Sequence, residues 1–314
     1  MTRKVLVSAP YMQLVIDRFR DLLEENDIEL VIPPVTERLE EDELLEYVRD
    51  IDGAICGDDR FTKRVLQAAP KLKVISKWGT GIDSIDQEAC RELGVAVRNT
   101  PNAFSEPVAD TVMAYILSFA RQVVRLDREM HRGMWEKLPG ISLRECTLGV
   151  IGVGSVGKAV VRRAMAFGMQ VLGNDIVDLP PEFLAETGIR MLSKEELLRD
   201  SDFVSLNCDL NPTSYHLIAE RELSLMKPTA YLINTARGPI IEQPTLVKVL
   251  QAGQVAGAAL DVFEVEPLPQ DSPLRRMDNV LLAPHNANSS PDAWERVHHN
   301  TIRNLLEVLN EVAT

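Results

Sequence analysis

Short runs of apolar, β-branched residues alternate with amphipathic stretches from one end of this chain to the other, and that alternation limits the fold class before any motif is considered. Residues 4–8, 28–32, 53–56, 73–76 and 95–98 read as strands in the first third, and residues 147–151, 170–174, 203–206, 230–233, 255–260 and 280–282 form a second series. Parallel strands need crossover helices, and the intervening stretches carry helical periodicity, so the class is α/β. A periodic segment over 105–134 exceeds a simple crossover and is expected to be a long helix connecting two domains. Residues 291–312 again read as helical. Two strand series separated in this way predict two doubly wound parallel-sheet domains with a ligand cleft between them.

Composition narrows the function. At 314 residues the chain exceeds one ordinary core, and 45% hydrophobic with 26% charged residues sets aside disordered and collagenous classes. Lys and Arg total 34 against 47 Asp and Glu, a net charge of −13, which repels phosphate backbones and anionic lipid, so neither nucleic acid nor membrane is expected as a partner. No apolar run approaches the roughly 20 residues of a spanning helix. The start reads as a strand without a leader core, which predicts a cytoplasmic protein. Cys56, Cys90, Cys146 and Cys208 form no C-x-x-C pair, so they are read as reduced, mostly buried thiols and no metal site is expected.

One glycine pattern carries chemistry. Gly152, Gly154 and Gly157 make G-x-G-x-x-G directly after an apolar strand and at the start of a helical stretch. That context suits a dinucleotide: Gly152 for the tight turn, Gly154 for close approach of a pyrophosphate, Gly157 for helix-to-strand packing, with helix N-terminal amides facing the anion. The next strand ends at Asp175, eighteen residues after Gly157, where a carboxylate accepts from both ribose hydroxyls and repels a 2′-phosphate. NAD is therefore expected over NADP. The plain alternative is that the glycines serve only a strand-to-helix turn and Asp175 only caps the next element.

Three polar clusters follow at strand ends: Asn234 to Gly238, Asp261 to Pro267 and Pro284 to Asn286. With the glycine loop and the stretches Gly79 to Asp83, Asn99 to Pro101 and Arg132 to Trp135, they make the chain resemble the D-2-hydroxyacid dehydrogenase family over nearly its whole length, its phosphoglycerate dehydrogenase-like branch most of all. The resemblance implies a flavodoxin-like substrate domain, residues 1–98 completed by 287–314, and a Rossmann NAD-binding domain over 99–286. It implies hydride transfer between nicotinamide and a small D-2-hydroxy or 2-keto acid. Arg237 is then the cation that holds the substrate carboxylate in a planar fork. His285 is the acid/base, and Glu266 the carboxylate that fixes its tautomer and favours its protonation. The resemblance further places Ser155 and Val156 backbone on the pyrophosphate, Asp261 on the nicotinamide carboxamide, Cys208 and Thr235 along the cofactor, and the Thr80 and Gly81 amides on the substrate carboxylate. Glu264 is read as a solvated or capping acid, and His131, His216, His298 and His299 are given no chemistry.

This sequence also departs from the pattern. Phosphoglycerate-type members carry a basic residue beyond the third strand, where Cys56 stands here with Asp58 and Asp59 following, and two acids would oppose a phosphate. Arg60 and Lys77 are candidate compensating cations, and two placements of Lys77 fit: into the pocket as a substrate contact, or along the solvated strand end. 3-Phosphoglycerate is thus one candidate substrate among several. A polar rim is expected from Asn286, and no regulatory extension is expected after Thr314. A rival reading is an NAD-sensing binding protein akin to a corepressor. The apolar residues Val108, Val112, Met113, Tyr115, Ile116, Leu117, Phe119, Ala120, Val123 and Val124 along the connecting segment predict a homodimer.

Overall fold

A computed structural model describes residues 2–311; Met1 and residues 312–314, with the expected helical end at Val312, lie outside that range. The chain divides into two compact units, Met1–Phe104 with Ser290–Thr314, and Ser105–Ser289, against the expected boundaries at 98/99 and 286/287.

The first unit is built on five parallel strands, β1 (Arg3–Val7), β2 (Ile28–Val31), β3 (Gly53–Cys56), β4 (Val74–Lys77) and β5 (Ala96–Arg98), in the order β2-β1-β3-β4-β5. This is the flavodoxin-like order. β3 and β4 are buried along their whole length, as a parallel strand covered on both faces must be. One cover is the C-terminal helix Pro291–Glu311, which buries Ala293, Val297, Thr301, Leu305 and Leu309 at four-residue spacing. Polar bonds lock its register on the sheet: Ser76 Oγ donates to Thr301 O at 2.8 Å and Arg3 Nη1 to Leu309 O at 2.7 Å.

The second unit holds seven parallel strands: β6 (Thr147–Ile151), β7 (Gln170–Asn174), β8 (Arg190–Met191), β9 (Phe203–Leu206), β10 (Tyr231–Asn234), β11 (Gly257–Leu260) and β12 (Val280–Leu282). Their order, β12-β11-β10-β9-β6-β7-β8, reverses direction at β6, which makes β6 and β9 the switch point where a Rossmann sheet opens its ligand crevice. The two-residue β8 was not foreseen, being too short to show a period.

The expected connecting helix is instead two helices. Ser105–Ala120 belongs to the second unit, burying Ala109, Val112, Met113, Ile116 and Ala120 in its core, with Val108 buried as well. The chain then breaks at Gln122, whose φ of 53° is left-handed, and resumes as Val123–His131, a helix with no buried residue. The uninterrupted polar-apolar periodicity hid the break, because a single left-handed residue shifts the helix axis without interrupting the pattern. Among the described residues no helix is long and apolar enough to cross a membrane.

Candidate active site

The glycine loop starts at the end of β6. Gly152 takes φ +85°, and a Cβ there would lie 2.5 Å from the Cys208 amide nitrogen on the loop after β9, so only glycine lets the two strand ends come together at the switch point. A Cβ on Gly157 would fall 2.1 Å from the Gly152 carbonyl oxygen, which is why the helix Ser155–Ala166 can start so close to its strand. Beside Gly154 there is open space where a Cβ would sit. A turn alone explains the first two glycines; the open third points to a ligand.

Asp175 follows β7. Its Oδ2 accepts from the Val153 N–H at 2.6 Å and its Oδ1 from the Val177 N–H at 3.0 Å. The carboxylate therefore stiffens the glycine loop, and each oxygen keeps a second lone pair for another donor. Cys208 is half-buried here, and burial pushes its thiol up to about 11, which keeps it neutral.

β10 delivers Arg237. Asn234 at the strand end accepts from the Ala236 N–H at 3.0 Å through Oδ1 and donates through Nδ2 to Arg237 O at 2.9 Å, closing a tight loop that sends Arg237 out of the sheet. Thr235 in that loop has a buried hydroxyl with no partner of its own. The following residue, Gly238, lies against the next strand end: a Cβ would come within 1.9 Å of the Phe263 carbonyl carbon. Arg237 and the 263–266 segment are thereby set side by side.

β11 and β12 deliver the imidazole. His285 Nδ1 lies 3.0 Å from Glu266 Oε2, while Glu266 Oε1 accepts from the Phe263 N–H at 2.9 Å. His285 sits at φ 51°, a backbone shape that asks for support from its surroundings. Asp261 gives that support. Fully buried, it accepts from the Asn286 N–H at 2.9 Å and the Ala287 N–H at 2.8 Å, and its own carbonyl accepts from the His285 N–H at 2.7 Å. Burial raises the Asp261 carboxyl above its ordinary range, and the two amides oppose that shift.

The residues matched by the family of D-isomer specific 2-hydroxyacid dehydrogenases, NAD binding domain, are 113–287. The chain belongs to that family. It is an NAD-dependent oxidoreductase acting on 2-hydroxy and 2-keto acids. The dehydrogenase is 39% identical to a glyoxylate reductase of Korarchaeum cryptofilum over 84% of this chain and 81% of that one. It is 38% identical to a D-3-phosphoglycerate dehydrogenase of Methanocaldococcus jannaschii over 92% of this chain and 54% of that one. A solved D-lactate dehydrogenase of Aquifex aeolicus, complexed with NAD and lactic acid, superposes with a TM-score of 0.86 at 29% identity, covering 96% of this chain and 93% of that one. The open space beside Gly154 and the partnerless Thr235 hydroxyl are the observations by which this dehydrogenase fits a nicotinamide dinucleotide.

The first unit answers the question about Lys77 and corrects the reading of the acids. Lys77 is almost fully buried, so it does not lie on a solvated strand end; its Nζ donates to Trp78 O at 3.0 Å and pairs with Asp58 at 3.2 Å. Asp59 faces no ligand: it is enclosed by the Ser8 hydroxyl at 2.8 Å and the amides of Gly57 at 2.8 Å and Leu39 at 2.6 Å, which makes it scaffold. Arg60 stands half exposed, 3.9 Å from Glu40. Thr80 turns its hydroxyl to Thr100 O at 2.9 Å, so only main-chain groups of Thr80 and Gly81 remain for a carboxylate. His298 also finds a place as a buried acceptor for the Trp78 Nε1–H at 3.0 Å, and desolvation lowers its pKa.

Sequence reasoning missed two features of the second unit. Asp261 anchors the His285 loop, and His216, which had been given no role, pairs with Glu264. Neither has a spacing to betray it, since both partners meet only through the sheet order.

Proposed function

We propose that this dehydrogenase reduces a small, unphosphorylated 2-keto acid of the glyoxylate type, with His285 and Arg237 in the central roles. The observation that carries the reading is the commitment of His285 Nδ1 to Glu266, which assigns Nε2 to the substrate oxygen. Bound nicotinamide supplies the hydride. His285 gives the Nε2 proton to the keto oxygen as that oxygen gains charge, and Glu266 steadies the imidazolium before transfer. The Arg237 guanidinium grips the substrate carboxylate in a planar fork.

Around the cofactor, the amides of Ser155 and Val156 at the start of the helix Ser155–Ala166 face the pyrophosphate, with Gly152, Gly154 and Gly157 shaping the approach. Asp175 takes the adenosine ribose hydroxyls and favours NAD over NADP. Cys208 lines the pocket as a neutral thiol, Thr235 offers its partnerless hydroxyl, and Asp261 keeps a lone pair on each oxygen for the carboxamide. In the first unit, the main chain at Thr80 and Gly81 contributes to carboxylate binding. Lys77 is neutralised by Asp58, which removes one of the two cations a phosphate would need and favours glyoxylate over 3-phosphohydroxypyruvate. Relatives named glyoxylate reductase agree with that choice.

The test is an NADH-oxidation screen of glyoxylate, hydroxypyruvate, a branched keto acid and phosphohydroxypyruvate, run with Arg237→Lys alongside. Glyoxylate is expected to be turned over, and Arg237→Lys to lose about tenfold to a hundredfold in kcat/KM, the cost of a charged fork reduced to a point charge. Binding of NADH without turnover of any keto acid would favour the sensor reading instead. A homodimer is also proposed. Its apolar support is smaller than the sequence implied, since Val112, Met113, Ile116 and Ala120 are spent in the unit's own core and Val108 is buried too; Val123, Val124, Met130, Met134, Trp135 and Ile141 remain exposed. Light scattering returning a monomer mass at micromolar concentration would refute it.

A further inference from the structure

The second unit carries another imidazole on a carboxylate besides the His285 pair. His216 Nε2 lies 2.8 Å from Glu264 Oε1, and no step above uses either residue. His216 sits in the loop after β9 at φ 49°, a left-handed shape that a side chain keeps only when something holds it. In that shape its N–H donates to Pro239 O at 2.8 Å, its ring reaches Glu264, and the Tyr215 ring stacks on it at 4.1 Å.

Three segments meet at Glu264. The first is this loop, held further by the Ile218 N–H to Ile240 O at 3.1 Å and by the Glu242 N–H to Ile218 O at 3.0 Å. The second is the 237–243 stretch, because Glu264 Oε1 also accepts from the Gln243 N–H at 3.3 Å and the Glu264 N–H donates to Gln243 Oε1 at 3.3 Å. The third is the 263–266 segment itself, on which Gly238 rests and from which Glu266 holds His285. The turn Gly238–Ile240, which begins right after Arg237, is thus fixed at its near end by Asn234 and at its far end by His216, Ile218 and Glu264.

We propose that His216 and Glu264 are positioning residues that set the Arg237 guanidinium, and through it the affinity for the substrate carboxylate, while taking no part in proton transfer. This rests on the role of Arg237 given above. An arginine that grips the carboxylate alike in the bound ground state and in the transition state governs KM rather than kcat, so a loosened turn shows in affinity.

His216→Gly is the direct test. Glycine takes the positive φ at no steric cost and keeps the N–H for Pro239, so the substitution deletes the imidazole alone. The probe is oxalate, titrated calorimetrically into the NADH complex, with glyoxylate kinetics measured in parallel. Oxalate affinity is expected to fall about tenfold, the size of one lost charge-assisted hydrogen bond, with kcat and NADH affinity unchanged. Glu264→Ala should reproduce the loss. Glu264→Gln should restore most of it, since an amide oxygen still accepts from Gln243 and His216. This second pair repeats the comparison without touching the left-handed backbone. Unchanged oxalate affinity in His216→Gly and in Glu264→Ala would overturn the proposal, as would a fall in kcat at unchanged affinity. If the parent complex itself bound no oxalate, the role of Arg237 would fail and the clamp with it, whereas parent binding matched by both variants sinks the clamp alone.

Discussion

Glu266 divides its carboxylate between His285 Nδ1, at 3.0 Å from Oε2, and the Phe263 N–H, at 2.9 Å from Oε1. The main-chain bond makes the carboxylate a fixed post, and the imidazole is aimed by it. Glu266→Gln keeps the shape, yet its amide can present either an oxygen or an NH2 to Nδ1, so tautomer control weakens. We expect kcat to fall about tenfold to a hundredfold, as for other outer partners of a working histidine, and His285→Ala to lose roughly a hundredfold or more. Stopped-flow NADH oxidation checks both, and wild-type turnover in His285→Ala would remove the histidine from the mechanism.

Gly238 is the spacer between two functional strand ends. An alanine Cβ there would overlap the Phe263 carbonyl carbon at 1.9 Å and approach the Glu264 nitrogen at 2.4 Å, both of them backbone atoms that do not rotate away. Gly238→Ala should cost about 3 kcal/mol or more in stability and should reduce kcat/KM more than Gly253→Ala, which lies at an open helix end. Urea unfolding and steady-state kinetics on the two variants give the comparison.

Asp175 holds the glycine loop and is proposed to take the cofactor ribose as well, so the choice of replacement decides what is learned. Asn at 175 retains an oxygen for the Val153 or Val177 amide but drops the charge that opposes a 2′-phosphate. The NADPH to NADH preference of Asp175→Asn is expected to rise by about tenfold, the value of one unfavourable charge contact removed. An unchanged ratio would show that Asp175 does not face the ribose.

Thiol chemistry is predicted to be silent at neutral pH. Burial raises all four cysteines, with Cys90 and Cys208 at about 11, so the reactive thiolate is scarce in the native state. Iodoacetamide labelling of Cys208 should be negligible at neutral pH and climb about tenfold per pH unit until the pH nears its raised value of about 11. Mass spectrometry of the native enzyme across that range reads it directly, and fast labelling at neutral pH would contradict the enclosed, neutral thiol.

Periodicity and spacing were enough to read most of this protein. Strand runs such as 147–151, 170–174 and 203–206 match β6, β7 and β9 residue for residue, because the middle of a strand covered on both faces is mostly apolar. The glycine loop was equally legible, since each glycine answers a local steric demand: a positive φ at Gly152 and a close carbonyl at Gly157. Arg237, Glu266 and His285 stood out as polar residues just past apolar runs.

What the chain order could not convey is which loops become neighbours. Asp58 and Lys77 belong to adjacent strand ends only because β3 pairs with β4, and that pairing turned a candidate phosphate ligand into the buried half of an ion pair. His216 and Glu264 lie far apart in sequence and meet because β9, β10 and β11 stand side by side. The helical break at Gln122 likewise left no mark, since one left-handed residue alters direction and not composition. Sequence by itself determined most of the elements and nominated the polar groups at strand ends, because the demands it records are local. Only the tertiary structure decided their partners, because hydrogen bonds and ion pairs act over a few ångströms in space without regard to distance along the chain.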